Sequence, residues 1–264
     1  MNRIEKRLAE RKEQNQKAFI TYMTAGLPDF TKMKEVIRTQ QEAGTDIIEL
    51  GIPFSDPVAD GPIIQAASYK AICQGVNLVK ILQAMQEMRV DGITIPVVFM
   101  MYYNTILHYG VEQFVDACIA SGVDGLIIPD LPYEEQEEIA VHLAKKDAPI
   151  LIQLVAPVSK ARIPMILDKA RGFVYCVSSM GVTGQAGTFH RSVTEYLETV
   201  KAEAKIPVMM GFGIRNAADI APMKHTIDGA IVGTHFIQLM EESNYDLQVV
   251  KEYCTTFKKE LNEL

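Results

Sequence analysis

The chain has no Cys-x-x-Cys pair. Its 4 cysteines, Cys73, Cys118, Cys176 and Cys254, are widely separated, and its 5 histidines never fall at metal-ligand spacing. A disulfide scaffold and a structural metal are excluded on that ground, and a reduced, cytoplasmic setting is expected. Positive charge is also scarce. With 26 Lys and Arg against 33 Asp and Glu, and a formal net charge of −7, the chain lacks the basic excess that phosphate backbones reward, so no nucleic-acid partner is expected. Long apolar runs are missing too. The longest, Ile95 to Tyr103, falls far short of the roughly 20 residues a spanning helix needs, so no membrane segment is expected. Met1 to Gln16 alternates basic and acidic residues, which suits neither a secretory signal nor a transit peptide; it reads as a surface helix carrying Ile4 and Leu8 inward.

What the chain does have is a 48% hydrophobic content over 264 residues, enough to bury one large core, and a single domain spanning 1–264 is expected. Short apolar runs recur at Ala18 to Met23, Ile47 to Leu50, Pro96 to Met101, Gly125 to Ile128, Pro149 to Val155, Phe173 to Val177, Pro207 to Gly211 and Gly229 to Val232. Between them lie stretches of helical periodicity: Thr31 to Ala43, Leu78 to Arg89, Val111 to Ala120, Glu134 to Lys145, Lys160 to Ala170, Val193 to Ala204, Ala217 to Lys224 and Leu247 to Leu261. Strict alternation at this length predicts an α/β chain folded as one (β/α)8 TIM barrel with an extra N-terminal helix. A weak echo, Gly44-Thr45-Asp46, Gly122-Val123-Asp124 and Ile227-Asp228-Gly229, leads into three of the strands. It fits either duplicated βα segments or the common use of glycine at helix C-termini.

In such a barrel the chemistry sits at the carboxyl ends of the strands. Glu49 is the one carboxylate inside an otherwise apolar strand run, where desolvation must tune its proton affinity unless it is paired. The loop behind it holds Pro53, Pro57 and Pro62 with Gly51 and Gly61, and is therefore stiff before any ligand arrives. Asp60 in that loop could hang over the barrel mouth, or could, like Asp56, favour the start of a helix at Gly61-Pro62. Three glycine-rich turns follow the last strands: Met180 to Gly187, Gly211-Phe212-Gly213 and Gly233-Thr234. Together, in order, they predict a phosphate seat built from backbone N–H groups and a helix N-terminus. The turn from Tyr102 to Tyr109 is unusually apolar for a loop, so it lines a pocket, plugs locally or meets another protein. His108 and His190 end no strand and read as surface residues.

These motifs, in this order, resemble the tryptophan synthase alpha subunit family over essentially the whole chain. The segment Glu49 to Pro62 is the most specific, followed by Tyr102 and Asn104, the Tyr175 strand with Gly181-Val182-Thr183-Gly184, Gly211-Phe212-Gly213 and Gly233-Thr234. The resemblance implies a lyase that splits indole-3-glycerol phosphate into indole and glyceraldehyde 3-phosphate, with no cofactor in this chain. It implies Glu49 as acid and base, and Asp60 as the carboxylate beside the indole N–H. Tyr175 and Thr183 carry over as substrate contacts, with Phe212, Met100 and Ile128 as apolar wall. Gly184, Gly213, Gly233 and Thr234 carry over as the phosphate site. The implied partner is a beta subunit bearing pyridoxal phosphate, in an alpha2beta2 complex, contacted by Pro53, Asp56, Asn104, Leu107 and Pro132.

The chain departs from the family pattern at Ser179, where many members have a basic residue, and at Thr234, where many have serine. Sugar isomerase barrels would want acids at Thr24 and Ala156, and triosephosphate isomerase would want its glutamate near Ser178 and Ser179. A non-catalytic activator would have no use for both Glu49 and Asp60. A free-standing indole producer differs only in lacking a partner.

Overall fold

The computed structural model describes residues 1–177, 186–211 and 213–264. Its strands are all parallel and run β1 Ala18–Thr24, β2 Ile47–Gly51, β3 Val97–Met100, β4 Gly125–Ile127, β5 Ile150–Leu151, β6 Gln153–Val155, β7 Val174–Val177, β8 Val208–Gly211 and β9 Gly229–Val232. Each pairs with its neighbour in the chain, except β5 with β6, and β1 also pairs with β9, which curls the sheet into a nearly closed barrel. The expected fifth strand, Pro149 to Val155, is split at Ile152: β5 pairs with β4, and β6 pairs with β7. Two short ladders therefore do the work of one strand, and the eight-strand expectation holds with that interruption.

Alternation along each strand sorts the core. Ala18, Ile20, Ile47, Val98, Ile127, Phe173, Met209 and Ile231 fill the lumen, while their neighbours pack outward against helices. Helix α1, Arg3–Glu13, plugs the lumen's amino end with Ile4 and Leu8, both buried and four residues apart on one face. Its start is fixed by a capping box in which the Asn2 side chain accepts from Ile4 N–H and Glu5 accepts from Asn2 N–H at 3.2 Å.

Around the barrel lie α2 Phe30–Glu42, α3 Pro62–Cys73, α4 Leu78–Val90, α5 Tyr103–Tyr109, α6 Val111–Ser121, α7 Glu137–Leu143, α8 Ile163–Leu167, α9 Ala186–Glu203, α10 Thr234–Glu242 and α11 Leu247–Glu263. Several differ from the periodicity reading. The apolar turn after β3 is a helix, α5, which buries Ile106, leaves Leu107 exposed and ends at Gly110 with φ +94°. The helices expected over Glu134 to Lys145 and Lys160 to Ala170 shrink to α7 and α8, each entered through a tight 3-10 turn, and Pro157 and Pro164 break the longer run. Ala217–Met223 is 3-10 throughout, with Pro222 inside it.

The echo before three strands has a structural counterpart. Asp46, Asp124 and Asp228 each grip one residue of the preceding strand by both of its backbone groups. The carboxylates accept from Phe19 N–H at 2.8 Å, Val97 N–H at 2.9 Å and Val208 N–H at 2.7 Å. Their own N–H groups donate to the carbonyls of the same residues. Each aspartate is paired with a cation from a helix: Lys258, Arg89 and Lys201 respectively. All three latches lie at the amino ends of the strands, away from the barrel mouth.

Candidate active site

Glu49 stands on β2 with its side chain in the upper lumen, 1% exposed, and one carboxyl oxygen is buried without a hydrogen-bond partner. Burial among apolar walls pushes its pKa up to about 8, and the charge of Asp60 adds to the rise. At neutral pH the empty site thus holds Glu49 mostly protonated, with a proton to give.

Asp60 is brought over the mouth by Tyr102. The Tyr102 hydroxyl accepts from Ala59 N–H at 2.9 Å and donates to the Asp60 carboxylate, and its ring stacks on Phe54 at 5.0 Å. Burial raises the Asp60 pKa, while the Tyr102 hydrogen bond opposes the rise by favouring the charged form. One Asp60 oxygen is buried without a partner. The capping alternative does not hold: α3 starts at Gly61-Pro62 with no side-chain cap, and Asp56 instead accepts from Ser55 Oγ at 2.6 Å.

Two further tyrosines close the lumen around the acids. Tyr22 on β1 lays its phenol over Gly51, where an added Cβ would lie 2.0 Å from the hydroxyl, and Tyr175 on β7 covers Gly211 in the same way at 2.6 Å. Glycine at both strand ends is therefore a packing requirement. The charges of Glu49 and Asp60 reach both phenols and raise their pKa values, after burial, which is the larger cause. Tyr22 was not singled out from the sequence, yet its signal was present: it shares the lumen parity of Ala18 and Ile20.

On the other side of β1, β9 ends at α10, whose N-terminus has Gly233 as cap residue and no side-chain cap. Its first N–H groups face the mouth with the positive end of the helix dipole behind them. Gly213, with φ +70°, follows the adjacent β8, and a Cβ there would meet nothing within 4 Å. A Cβ on Gly233 would meet only Tyr22, at 3.6 Å. The predicted phosphate residues Gly213, Gly233 and Thr234 thus follow the adjacent strands β8 and β9 at the barrel mouth, where a Cβ on Gly213 would meet no described residue within 4 Å.

Met100 packs against the lumen cluster as well as the outer layer, but Ile128 packs with Leu126 in the outer layer; the lumen residue at the end of β4 is Ile127, one position earlier. Thr183, Gly184 and Phe212, with the rest of the Met180 to Gln185 turn and Ser179, lie outside the described residues. Pro53, Asp56, Asn104, Leu107 and Pro132 fall on the loops and helix after three consecutive strands, and all but the half-buried Pro53 are exposed. Among the described residues no group of three or more His, Cys, Asp or Glu side chains is placed to hold a metal. No described helix is long and apolar enough to cross a membrane.

With this geometry in hand, the comparisons are decisive. The family described as tryptophan synthase alpha chain matches residues 8–263. The chain belongs to the tryptophan synthase alpha chain family. It is 63% identical to the tryptophan synthase alpha chain of Lachnospira eligens, over 99% of this chain and 100% of that protein. The crystal structure of tryptophan synthase subunit alpha from Legionella pneumophila superposes with a TM-score of 0.90 at 30% identity, covering 100% of both chains. A structure of Mycobacterium tuberculosis tryptophan synthase gives 0.87 at 32% identity, covering 99% of this chain and 98% of that one. The alpha chain family comprises carbon–carbon lyases that cleave indole-3-glycerol phosphate without a cofactor of their own, pyridoxal phosphate residing in the beta subunit.

Proposed function

We propose that in this chain Glu49 and Asp60 carry the cleavage of indole-3-glycerol phosphate to indole and glyceraldehyde 3-phosphate. Protonated Glu49 gives its proton to indole C3, which leaves positive charge spread to the ring nitrogen. Asp60, as carboxylate, accepts from the indole N–H and stabilises that charge as it develops. The bond from C3 to the side chain then breaks, its electron pair restores the aromatic ring, and the adjacent hydroxyl loses its proton to the Glu49 carboxylate as the aldehyde forms. Proton and electrons balance, and Glu49 ends as it began. The observation that carries this reading is the buried Glu49 carboxyl, pushed up to about 8, beside the half-buried Asp60 carboxyl steadied by Tyr102, each with one oxygen that has no partner among the described residues.

The substrate phosphate sits on the N-terminus of α10, held by Gly233, Thr234 and Gly213, with Gly184 completing the seat. Tyr175 and Met100 bound the indole pocket with Phe212, and Thr183 meets the Asp60 loop. The chain acts as one domain in the cytoplasm, and its indole passes to a beta subunit docked on the face formed by Pro53, Asp56, Asn104, Leu107 and Pro132, in an alpha2beta2 complex. Indole release from indole-3-glycerol phosphate by the purified chain tests the assignment. Glu49→Gln should lower it by about 10²-fold or more with the fold intact. Near-normal turnover in that variant would overturn the mechanism.

A further inference from the structure

A cavity of about 440 Å³ opens at the amino end of the barrel, on the face opposite Glu49. Its walls are α1, the turn into β1, the last turn of α9, the turns before β8 and β9, and the end of α11. Arg11, Lys12, Lys17, Lys201, Lys205 and Lys224 line it, and Asp228 is its one acidic side chain among the described residues. In a chain of net charge −7 this is a local inversion of sign.

Some of these cations are already engaged. Lys201 holds Asp228 at 2.6 Å, and Arg11 donates to Gln16 at 2.7 Å while facing Asp46 at 3.6 Å. Others keep donors in hand. Lys17 Nζ donates to the carbonyls of Lys224 and Ile227, which fixes the half-buried ammonium and leaves its third N–H free. Lys224 donates once, to Leu264 O at 2.7 Å. Lys12 and Lys205 have no partner among the described residues and are exposed. Burial lowers the Lys17 pKa, Asp228 opposes this, and the charges of Lys201 and Lys224 lower it further. The half-buried Ile206, Pro207 and Leu264 form an apolar floor beside the ammonium groups.

We propose that this cavity binds a small organic phosphate, its anionic head among Lys12, Lys17, Lys205 and Lys224 and its body on Ile206, Pro207 and Leu264. Compact ammonium groups approaching from several sides match a tetrahedral dianion better than a planar carboxylate, for which a free guanidinium fork would be the natural partner. The volume falls within the range of small-molecule sites and would be left mostly empty by phosphate alone. A ligand here would tie α1, α9 and α11 together and stabilise the folded chain by mass action.

Calorimetric titration of the full chain with phenyl phosphate tests this. The wild type should show two binding events, one at the barrel mouth and one in the basal cavity. Lys12→Glu combined with Lys205→Glu should weaken the basal event by about tenfold or more while the other persists. Cleavage of indole-3-glycerol phosphate by the double variant should stay within about twofold of wild type, because neither lysine is near the mouth. If that variant folds poorly, Lys12→Gln with Lys205→Gln should give the same loss. Inorganic phosphate should bind the basal site about tenfold more weakly than phenyl phosphate, since it leaves the apolar floor uncovered. A single event in the wild type, or wild-type binding in the double variant, overturns the proposal. Equal affinity for inorganic phosphate overturns the organic part of it.

Discussion

Replacing Glu49 by Gln should abolish cleavage and, in the same protein, change how stability depends on pH. The carboxyl's ordinary value is 4.5 and the folded barrel pushes it up to about 8. The folded state therefore holds this proton more tightly than the unfolded chain does. Stability from the neutral form is complete below about pH 4.5, declines as pH rises through the interval between the two values, and reaches a constant deficit above about pH 8. Each tenfold change in protonation is worth about 1.4 kcal/mol, so between pH 5 and pH 8 wild type should lose about 3 kcal/mol relative to Glu49→Gln. Glutamine does not titrate, so the difference reports Glu49 together with its charge coupling to Asp60. A fixed cost for the buried amide adds an offset that does not depend on pH. Urea unfolding followed by circular dichroism at several pH values gives the difference directly. A wild-type-minus-variant difference that stays flat from pH 5 to pH 8 would refute the claim that Glu49 is protonated in the resting site. The same group should appear in turnover: kcat/KM for indole-3-glycerol phosphate should fall as pH rises through about 8.

Tyr102→Phe removes the hydroxyl that joins Ala59 N–H to Asp60; kcat should drop about 10-fold or more with little change in KM or melting temperature, and a pure KM effect would place Tyr102 in substrate binding instead. Gly51→Ala should destabilise by about 1–3 kcal/mol because its Cβ meets the Tyr22 phenol, and adding Tyr22→Phe should restore part of the loss; additive effects in denaturant melts would show that the two positions do not touch. Leu107→Asp on the exposed face of α5 should weaken beta-subunit association by about tenfold or more while basal indole release is kept, and unchanged affinity for the beta subunit would remove α5 from the interface.

The barrel was legible because its signal is redundant: apolar runs, glycine caps and helical stretches repeat around the ring, and a missed boundary costs little. Glu49 was legible for a different reason, as a lone acid in a buried strand has few bland explanations. Asp60 was ambiguous, because capping and catalysis use the same residue type beside Gly61-Pro62. Only the bridge through Tyr102, a contact across 42 positions of sequence, separates them in space. Ile128 shows how a period of two punishes an error of one: the strand is right, but the residue faces helices while Ile127 faces the lumen. The stretch after β3 reads as a turn because seven residues are too few to show a helical period; in α5 Ile106 is the local plug and Leu107 stays exposed. The basal cavity left no motif, since its lysines come from two distant segments, Lys12 and Lys17 near the start of the chain and Lys201, Lys205 and Lys224 much later.

The aspartate latches have a consequence for how this barrel came to be and where it yields first. They occur before the second, fourth and last strands of the ring, so the repeating piece is two strands long and the ring divides into quarters. One quarter has lost its clasp. Extending the β6–β7 register one step back sets Phe173 opposite Ile152, in the place where each other quarter sets an aspartate opposite the residue it grips. A phenyl ring accepts no N–H, and Ile152 donates instead to Leu126 O at 2.9 Å, at the very point where the fifth strand divides. Three quarters of the hoop are riveted and the fourth is a seam, flanked outside by the short helices α7 and α8. Amide exchange should therefore open residues 150–155 well before β1 and β2. The acids at Glu49 and Asp60 stand on the riveted side of that hoop, so the ring can breathe at its seam without loosening the groups that exchange protons.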